Sequence, residues 1–203
     1  MLEGTVVAYC DDGTLHFKNL VSGKSTKMEF LGNPKSFDFD KENDILFAFG
    51  AKNTLRAIKL DQKNEIQLPT AQIKSILKQN KKIEKIHFLK NDLLLLQSLQ
   101  SVLIINYKEG KTVGTSINFE QEITSVAFHE SNRLAIGDSQ GKIFLISNLL
   151  SKKGRNEAIY HWHSMPVGAL AFMDSRTLMS GGGEAVLVFW HEASNRKDFC
   201  PRL

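Results

Sequence analysis

The sequence is poor in cysteine and in long apolar runs. Its 203 residues include only two cysteines, Cys10 and Cys200, too few and too far apart for the disulfide framework of a secreted domain. This cysteine content favours a reducing compartment. No apolar run approaches the roughly 20 residues of a membrane-spanning helix. The opening stretch, MLEGTVVAYC, lacks a basic segment followed by a long apolar one, so no secretory signal is expected.

The overall composition is that of an ordinary folded domain. Hydrophobic residues make up 42% of the chain and charged residues 24%, which excludes an intrinsically disordered class. The length suffices for one sizeable core. The formal net charge of +4 is a mild basic bias. It is compatible with acidic partners or with nucleic acid, but it is diagnostic of neither.

Short apolar runs separated by glycine and Asp/Ser turns recur along the chain. The clearest set is VGALAF at 167–172, TLMS at 177–180 and AVLVFW at 185–190, with three glycines between the last two runs. Runs of this length and spacing predict consecutive antiparallel strands, and the glycines suit a tight turn with positive φ.

Two linking segments carry further expectations. Residues 70–80 place Ile73, Ile76 and Leu77 at helical spacing, which predicts one short helix or an excursion between strands. Residues 113–119 (VGTSINF) predict the fourth strand of the third set.

The strand pattern is an internal repeat. The turn between the second and third strands recurs at intervals of 40, 47, 41 and 44 residues. The residues that mark this turn are Gly13, Asn53, Gln100, Gly141 and Ala185. Four strands per unit at this period predict an all-β fold, a β-propeller in which each blade buries its faces against its neighbours. The predicted blades of this single propeller are residues 4–31, 35–68, 83–119, 123–162 and 167–203.

The last predicted blade resembles the WD-repeat family. SGGGEAVLVFW, which ends at Trp190, matches the family's Ser-Gly-x-Asp-Asp-Gly-x-x-x-x-Trp pattern in register. His163 stands where the family has its Gly-His histidine. The resemblance implies that His163, Ser180 and Trp190 are structural positions joined by hydrogen bonds. Gly183 and Glu184 occupy the two Asp positions of the pattern.

A narrower resemblance covers roughly forty residues of the same region. The runs YHWHSMPVGALAF, LMSGGGEAVLVFW and DFCPRL resemble nucleolar WD-repeat proteins with tandem propellers that belong to the UtpA subcomplex of the small-subunit processome. That group carries a His-Trp-His entry, an SGG-x-E-x-VLV-x-W strand pair and a downstream Pro-Arg-Leu. The residues of this chain that fit are His161, Trp162, His163, Gly181, Gly182, Glu184, Val186, Val188 and Trp190.

This resemblance implies a non-catalytic scaffold of ribosome biogenesis. The expected setting is pre-18S rRNA processing in the nucleus and nucleolus, with a coupling to RNA polymerase I transcription as a further expectation. The implied partners are other WD-repeat and helical subunits of a large ribonucleoprotein assembly, with pre-rRNA or U3 small nucleolar RNA nearby. No membrane, small-molecule substrate or cofactor is implied.

Two other functional classes are alternatives. One is a WD-repeat module for protein–peptide interaction in an unrelated intracellular complex, which an intact ring with a charged or aromatic mouth would favour. The other is an enzyme that uses the propeller loops. An enzyme requires clustered ionisable residues at one mouth, and the sequence shows no such cluster.

Candidate chemical motifs have plainer structural interpretations. His161 and His163 share a strand face and could bind a metal, but no cysteine or third ligand lies at a recognisable spacing. A structural histidine at the entry of a blade is therefore expected. The three glycines precede no Lys-Ser/Thr and open no helix, which favours a turn over a phosphate-binding loop. Ser180 lacks the Gly-x-Ser-x-Gly context of a nucleophile. No metal-binding or catalytic residue is expected.

Two basic segments are candidate contacts for RNA phosphates, through charge alone. Their members are Lys78, Lys81, Lys82, Lys85, Lys152, Lys153 and Arg155. A solvated surface is the alternative, because neither segment is interleaved with aromatic residues that could stack on bases.

The strand count predicts an incomplete propeller. The first blade lacks a first strand, and residues 198–203 are needed by their own blade, where Pro201 weakens their pairing. An open arc exposes two blade faces, so a chain that is poorly soluble alone and is completed by further sequence or by neighbours is expected. A five-blade ring is the alternative.

Overall fold

The structure, a computed structural model, describes residues 5–9, 14–29, 34–50, 53–60, 64–79, 82–151, 154–194 and 196–200. The chain divides into two compact units. One comprises Met1–Ser98 with Val102–Thr115, and the other comprises Leu99–Ser101 with Ser116–Leu203. The predicted turn marked by Gly13 lies outside the described residues, as do residues 201–203.

The described part of the first unit contains three antiparallel sheets whose strands follow chain order. The first sheet consists of β1 (Thr5–Tyr9), β2 (Thr14–Asn19) and β3 (Ser25–Glu29). The second consists of β4 (Pro34–Asp40), β5 (Ile45–Gly50), β6 (Thr54–Lys59) and β7 (Asn64–Ile66). Helix α1 (Thr70–Gln79) precedes the third sheet. That sheet consists of β8 (Ile83–Phe88), β9 (Leu93–Ser98), β10 (Ser101–Asn106) and β11 (Lys111–Thr112).

The second unit contains two four-stranded antiparallel sheets, again in chain order. A two-residue strand, β12 (Ile117–Asn118), precedes them. The first of these sheets consists of β13 (Ile123–His129), β14 (Arg133–Asp138), β15 (Lys142–Ser147) and β16 (Asn156–His161). The second consists of β17 (Val167–Phe172), β18 (Thr177–Gly182), β19 (Leu187–His191) and β20 (Arg196–Cys200), with a short 3-10 helix at Glu192–Ser194 before β20. The described sheets confirm the predicted all-β class.

The second strands of three sheets, β5, β9 and β14, are central in their sheets and deeply buried, whereas β18 is only partly buried. Every residue of β5, β9 and β14 is buried. Their sequences, ILFAFG, LLLLQS and RLAIGD, are largely continuous apolar runs rather than alternating ones, because both faces of these strands are covered. Short continuous apolar runs of this kind are typical of strands buried on both faces.

The segment predicted to be a helix or an excursion forms the helix, α1. Ile73 and Leu77 are buried in an apolar cluster that also contains Phe47 and Leu94, and Ile76 packs against that cluster. The helical spacing of these three residues therefore reflects real packing. The amide of Ile73 donates to the carbonyl of Pro69 at 3.0 Å at the start of the helix.

The single fourth strand predicted over residues 113–119 is replaced by two short strands, β11 at Lys111–Thr112 and β12 at Ile117–Asn118, and only β12 lies inside the predicted range. Pairing with β10 occurs earlier, at Lys111–Thr112, where Ile105 opposes Thr112. Gly114 then has a φ of +75°, which lies outside the extended region and ends the strand. The strand predicted over 185–190 also begins later, at Leu187, because Ala185 has a φ of 63° and belongs to the turn.

A register irregularity recurs where the first strand of each four-stranded sheet begins. It falls between Pro34 and Ser36, Ile83 and Lys85, Ile123 and Ser125, and Val167 and Ala169. A bulge re-aims the side chains beside it. At two of these irregularities, a serine side chain forms a hydrogen bond with the next sheet of the same unit. Ser36 Oγ accepts the amide N–H of Ile86 at 3.1 Å, and Ser125 Oγ donates to the carbonyl of Val167 at 2.7 Å.

Candidate functional site

The three residues singled out by the sequence pattern come together in the last sheet. His163 follows β16 by two residues, Ser180 lies in β18 and Trp190 lies in β19. His163 and Ser180 are each 1% exposed, and Trp190 is 7% exposed. The β18–β19 turn brings Glu184 to the same point, so a fourth polar side chain joins the three.

These four side chains form one chain of hydrogen bonds. The indole Nε1–H of Trp190 donates to Ser180 Oγ at 2.8 Å, and Ser180 Oγ lies 2.7 Å from His163 Nε2. His163 Nδ1 contacts Glu184 Oε1. Since an indole N–H can only donate, the serine hydroxyl is free to donate to Nε2. This order assigns the imidazole proton to Nδ1, which donates to the carboxylate.

The carboxylate of Glu184 is stabilised in its charged form. Burial opposes its ionisation, but the hydrogen bond from His163 and the backbone N–H donors outweigh that effect. The pKa of Glu184 consequently lies below its ordinary value. Glu184 therefore supplies a negative charge at a position where the family pattern has an aspartate.

Gly182 makes the close approach of these groups possible. A Cβ atom at this position would lie 2.4 Å from both Glu184 Oε1 and His163 Nδ1. A Cβ atom essentially never lies that close to another heavy atom, so any larger residue must displace these two side chains. Ala185, at the glycine position of the family pattern, completes the turn in the left-handed region.

The network also fixes one sheet against the next within the second unit. The ring of Trp190 stacks on Tyr160 of β16, with centroids 4.8 Å apart and planes 9° apart. Trp162 stacks on Phe199 at 5.5 Å. The Ser180–Trp190 bond sets the orientation of the indole, and the indole in turn packs on the neighbouring sheet.

Ser180, His163 and Glu184 have the composition of a hydrolytic triad, but their burial points to structure. A nucleophilic serine must reach a substrate, and Ser180 is 1% exposed. Its oxygen also accepts a hydrogen bond from Trp190. The arrangement can orient a strand, a turn and an aromatic ring.

The His-x-His pair is not brought together as a metal site. His161 is exposed on β16, whereas His163 is engaged with Ser180 and Glu184. No group of three His, Cys, Asp or Glu side chains that could hold a metal ion occurs among the described residues. Within the same part of the chain, no helix is long and apolar enough to cross a membrane.

The basic candidates lie on exposed or half-exposed positions. Lys78 is exposed in the last turn of α1, and Lys82 and Lys85 are exposed at the start of the third sheet. Arg155 is half-buried. Lys81, Lys152 and Lys153 lie outside the described residues. Contact with RNA stays a prediction.

Sequence reasoning missed two kinds of contributor. Glu184 was counted only as the occupant of an aspartate position, although its carboxylate reaches His163 from there. Thr124 and Ser125 were not singled out, although both hydroxyls donate to the carbonyl of Val167 at 2.7 Å. The sequence does contain a signal for Ser125. Ser36 and Ser125 are each the second residue of a similar apolar strand, KSFDF and TSVAF.

Blade-like sheets in chain order, together with the buried Trp–Ser–His–Glu network, define the class of protein: a β-propeller of the WD-repeat type. Residues 49–203 match the family model described as WD repeat-containing protein 75 first beta-propeller, and the chain belongs to that family.

Three relatives show how this similarity is distributed. The chain is 29% identical to WD repeat-containing protein 75 of Xenopus laevis over 210 aligned positions, covering 95% of this chain and 25% of that protein. It is 37% identical over 87 residues to U3 small nucleolar RNA-associated protein 17 of Schizosaccharomyces pombe, covering 42% of this chain and 10% of that protein. The Homo sapiens WD repeat-containing protein 75 is 40% identical over 87 residues, 41% of this chain and 10% of that protein. The chain thus spans a quarter or less of these relatives.

Solved structures support the same fold. The structure of U3-55K superposes with a TM-score of 0.73 at 9% identity, covering 96% of this chain and 60% of that chain. A chain of the crystal structure of the Mitotic Checkpoint Complex superposes with a TM-score of 0.72 at 13% identity, covering 93% of this chain and 58% of that chain. At these identities the likeness concerns the fold alone.

Proposed function

We propose that the chain is a non-catalytic WD-repeat scaffold of ribosome biogenesis, acting in the small-subunit processome and in pre-18S rRNA processing. The observation that carries this proposal is membership of the family over residues 49–203. One relative is named U3 small nucleolar RNA-associated protein 17. This name agrees with the ribonucleoprotein assembly that the sequence resemblance implies.

The structure offers a physical basis for a scaffold. His163, Ser180 and Trp190 are buried and bonded to one another, so these polar groups are not presented to a substrate. In contrast, Ile159 is 61% exposed and Phe199 is 55% exposed, both on outermost strands. Exposed apolar side chains on a rigid frame suit binding to other proteins rather than chemistry.

The proposed partners are other WD-repeat and helical subunits of a large ribonucleoprotein assembly, with pre-rRNA or U3 small nucleolar RNA nearby. Nucleolar localisation and a coupling to RNA polymerase I transcription belong to the same proposal. Exposed Lys78, Lys82 and Lys85 supply charge that suits a phosphate backbone, which supports RNA proximity.

Affinity purification of the full-length protein tests this function. Mass spectrometry and RNA sequencing of the eluate should recover small-subunit processome proteins together with early pre-rRNA. The variant Gly182→Ala serves as a comparison, since it displaces Glu184 and His163 and should reduce that recovery. Recovery of only cytoplasmic or membrane complexes by the wild-type protein would reject the proposal.

A further inference from the structure

A groove lies between β16 and the β19–β20 pair of the second unit. Its volume is about 320 Å³. Trp190 and Tyr160, stacked on each other, are among its lining residues. Ile159 and His161 of β16 line it on one side, and Arg196 and Lys197 of β20 on the other.

The free edge of β16 borders this groove. In the described part of its sheet, β16 pairs with β15 on one side only and is the outermost strand. Ile159, Tyr160 and His161 are consecutive, and successive side chains of a strand point to opposite faces. Because three consecutive residues line the groove, the groove contacts the edge of β16 and not only one of its faces. Such an edge offers backbone N–H and C=O groups to a further extended strand.

The charge of the groove is positive. Arg196 and Lys197 face one carboxylate, Glu192, which is already held by an ion pair with Arg133. Arg196 is itself neutralised by Asp198, with Nη2 and Oδ2 2.6 Å apart. Lys197 is exposed and forms no ion pair with any described residue. An occupant that carries a carboxylate beside Lys197 would therefore complement the groove.

We propose that this groove binds an extended acidic peptide segment of a protein partner, which adds as a strand to the edge of β16. An apolar side chain of the segment packs on exposed Ile159, and an adjacent carboxylate pairs with Lys197. The inference deepens the proposed scaffold function and rests on it. RNA suits the groove less well, because the Trp190 ring is 7% exposed and already stacked, which leaves its face closed to a base.

Fluorescence anisotropy with the full chain tests the groove. The probes are a short labelled peptide of alternating leucine and aspartate, the same peptide with lysine for aspartate, and a labelled oligouridine. The aspartate peptide should bind, whereas the lysine peptide should not. Lys197→Glu should weaken binding of the aspartate peptide by about tenfold or more, and Ile159→Ala should weaken it by a smaller factor.

Lys24→Glu is the matched control, because it makes the same charge change on an exposed lysine of the other unit. It should leave binding unchanged, and unaltered thermal midpoints should establish that all variants fold. The proposal is overturned if the aspartate peptide does not bind, if both peptides bind equally, or if Lys197→Glu binds like the wild type. Binding of oligouridine that Lys197→Glu abolishes would assign the groove to RNA and also overturn it. The proposed function is tested separately. If the groove fails these tests but the full-length protein still purifies with processome proteins, the groove proposal is wrong and the proposed function is retained.

Discussion

Trp190 is restrained twice, by a hydrogen bond and by a stacking partner. Its indole N–H donates to Ser180 Oγ at 2.8 Å, and its ring lies on Tyr160. Replacing it with alanine removes a large buried ring and leaves a cavity, so Trp190→Ala should lower the free energy of unfolding by about 3–5 kcal/mol. Chemical denaturation measures this loss. Phe199→Ala, at a 55% exposed ring, is the control and should cost far less; equal losses would contradict the buried role of Trp190.

Gly182 is a second residue whose replacement has a sharp expected outcome. A Cβ there collides with His163 and Glu184, so Gly182→Ala should separate them and lower the thermal midpoint. Gly168→Ala is the matched control, since a Cβ on Gly168 of β17 meets only one carbonyl oxygen, at 3.8 Å. It should leave the midpoint nearly unchanged. Equal midpoints for the two variants would mean that the network does not contribute to stability.

Glu184 makes the stability of the last sheet depend on pH. Its pKa is lowered on folding, so its contribution is complete above the ordinary value of 4.5 and is lost as the pH falls through the lowered value. The unfolding free energy of the wild type should therefore exceed that of Glu184→Gln at neutral pH, and the difference should shrink below pH 4.5. Denaturation of both proteins across this range measures it. A difference that stays constant would contradict an ionised Glu184 carboxylate that accepts a hydrogen bond from His163.

At the scale of single residues, the resemblance to the WD-repeat pattern implied hydrogen bonds among His163, Ser180 and Trp190, and in the structure Ser180 Oγ contacts the other two side chains. Glu184 was harder to assign, because a longer acid in place of an aspartate reaches the histidine only if Gly182 leaves room. That space is a property of the folded turn. The turn requires a left-handed φ at Ala185, and an alanine in the sequence does not predict that conformation.

Helix α1 is the one described α-helical element, and its stability depends on a few buried residues. Leu77 is 1% exposed in the cluster that contains Phe47 and Leu94. Leu77→Ala should lower the free energy of unfolding by about 2–5 kcal/mol, because it opens a cavity in that cluster. Lys78→Ala, one residue along on the exposed face, should change it by less than about 0.5 kcal/mol. Similar effects of the two changes in urea denaturation would show that the helix does not dock through Leu77.

At the scale of elements, the sequence predicted the inner strands better than the outer ones. Strands such as β5 and β9 are long apolar runs, because both of their faces are buried. The fourth strands are largely exposed, and two of them are short, since β7 has three residues and β11 only two. An exposed two-residue strand leaves no hydrophobic pattern, so its position is determined by turns such as that at Gly114 rather than by side-chain burial.

At the scale of the whole molecule, the chain matches only part of its relatives. It covers 60% of the U3-55K chain and 25% of the Xenopus laevis protein. We therefore predict that the isolated 203-residue chain self-associates through uncovered blade faces. Size-exclusion chromatography with light scattering should show concentration-dependent oligomers, whereas the full-length protein should be monomeric. A stable monomer of the 203-residue chain at all concentrations would contradict the incomplete propeller.

We propose that this propeller segment serves a scaffold of small-subunit assembly. Co-sedimentation of the full-length protein with precursor rRNA in a density gradient tests it most directly. The wild type and Gly168→Ala should sediment with large particles that contain pre-18S rRNA, and Gly182→Ala should shift toward the free fractions. A wild-type protein that sediments only as a free protein, with pre-18S rRNA particles intact elsewhere in the gradient, would contradict the claim.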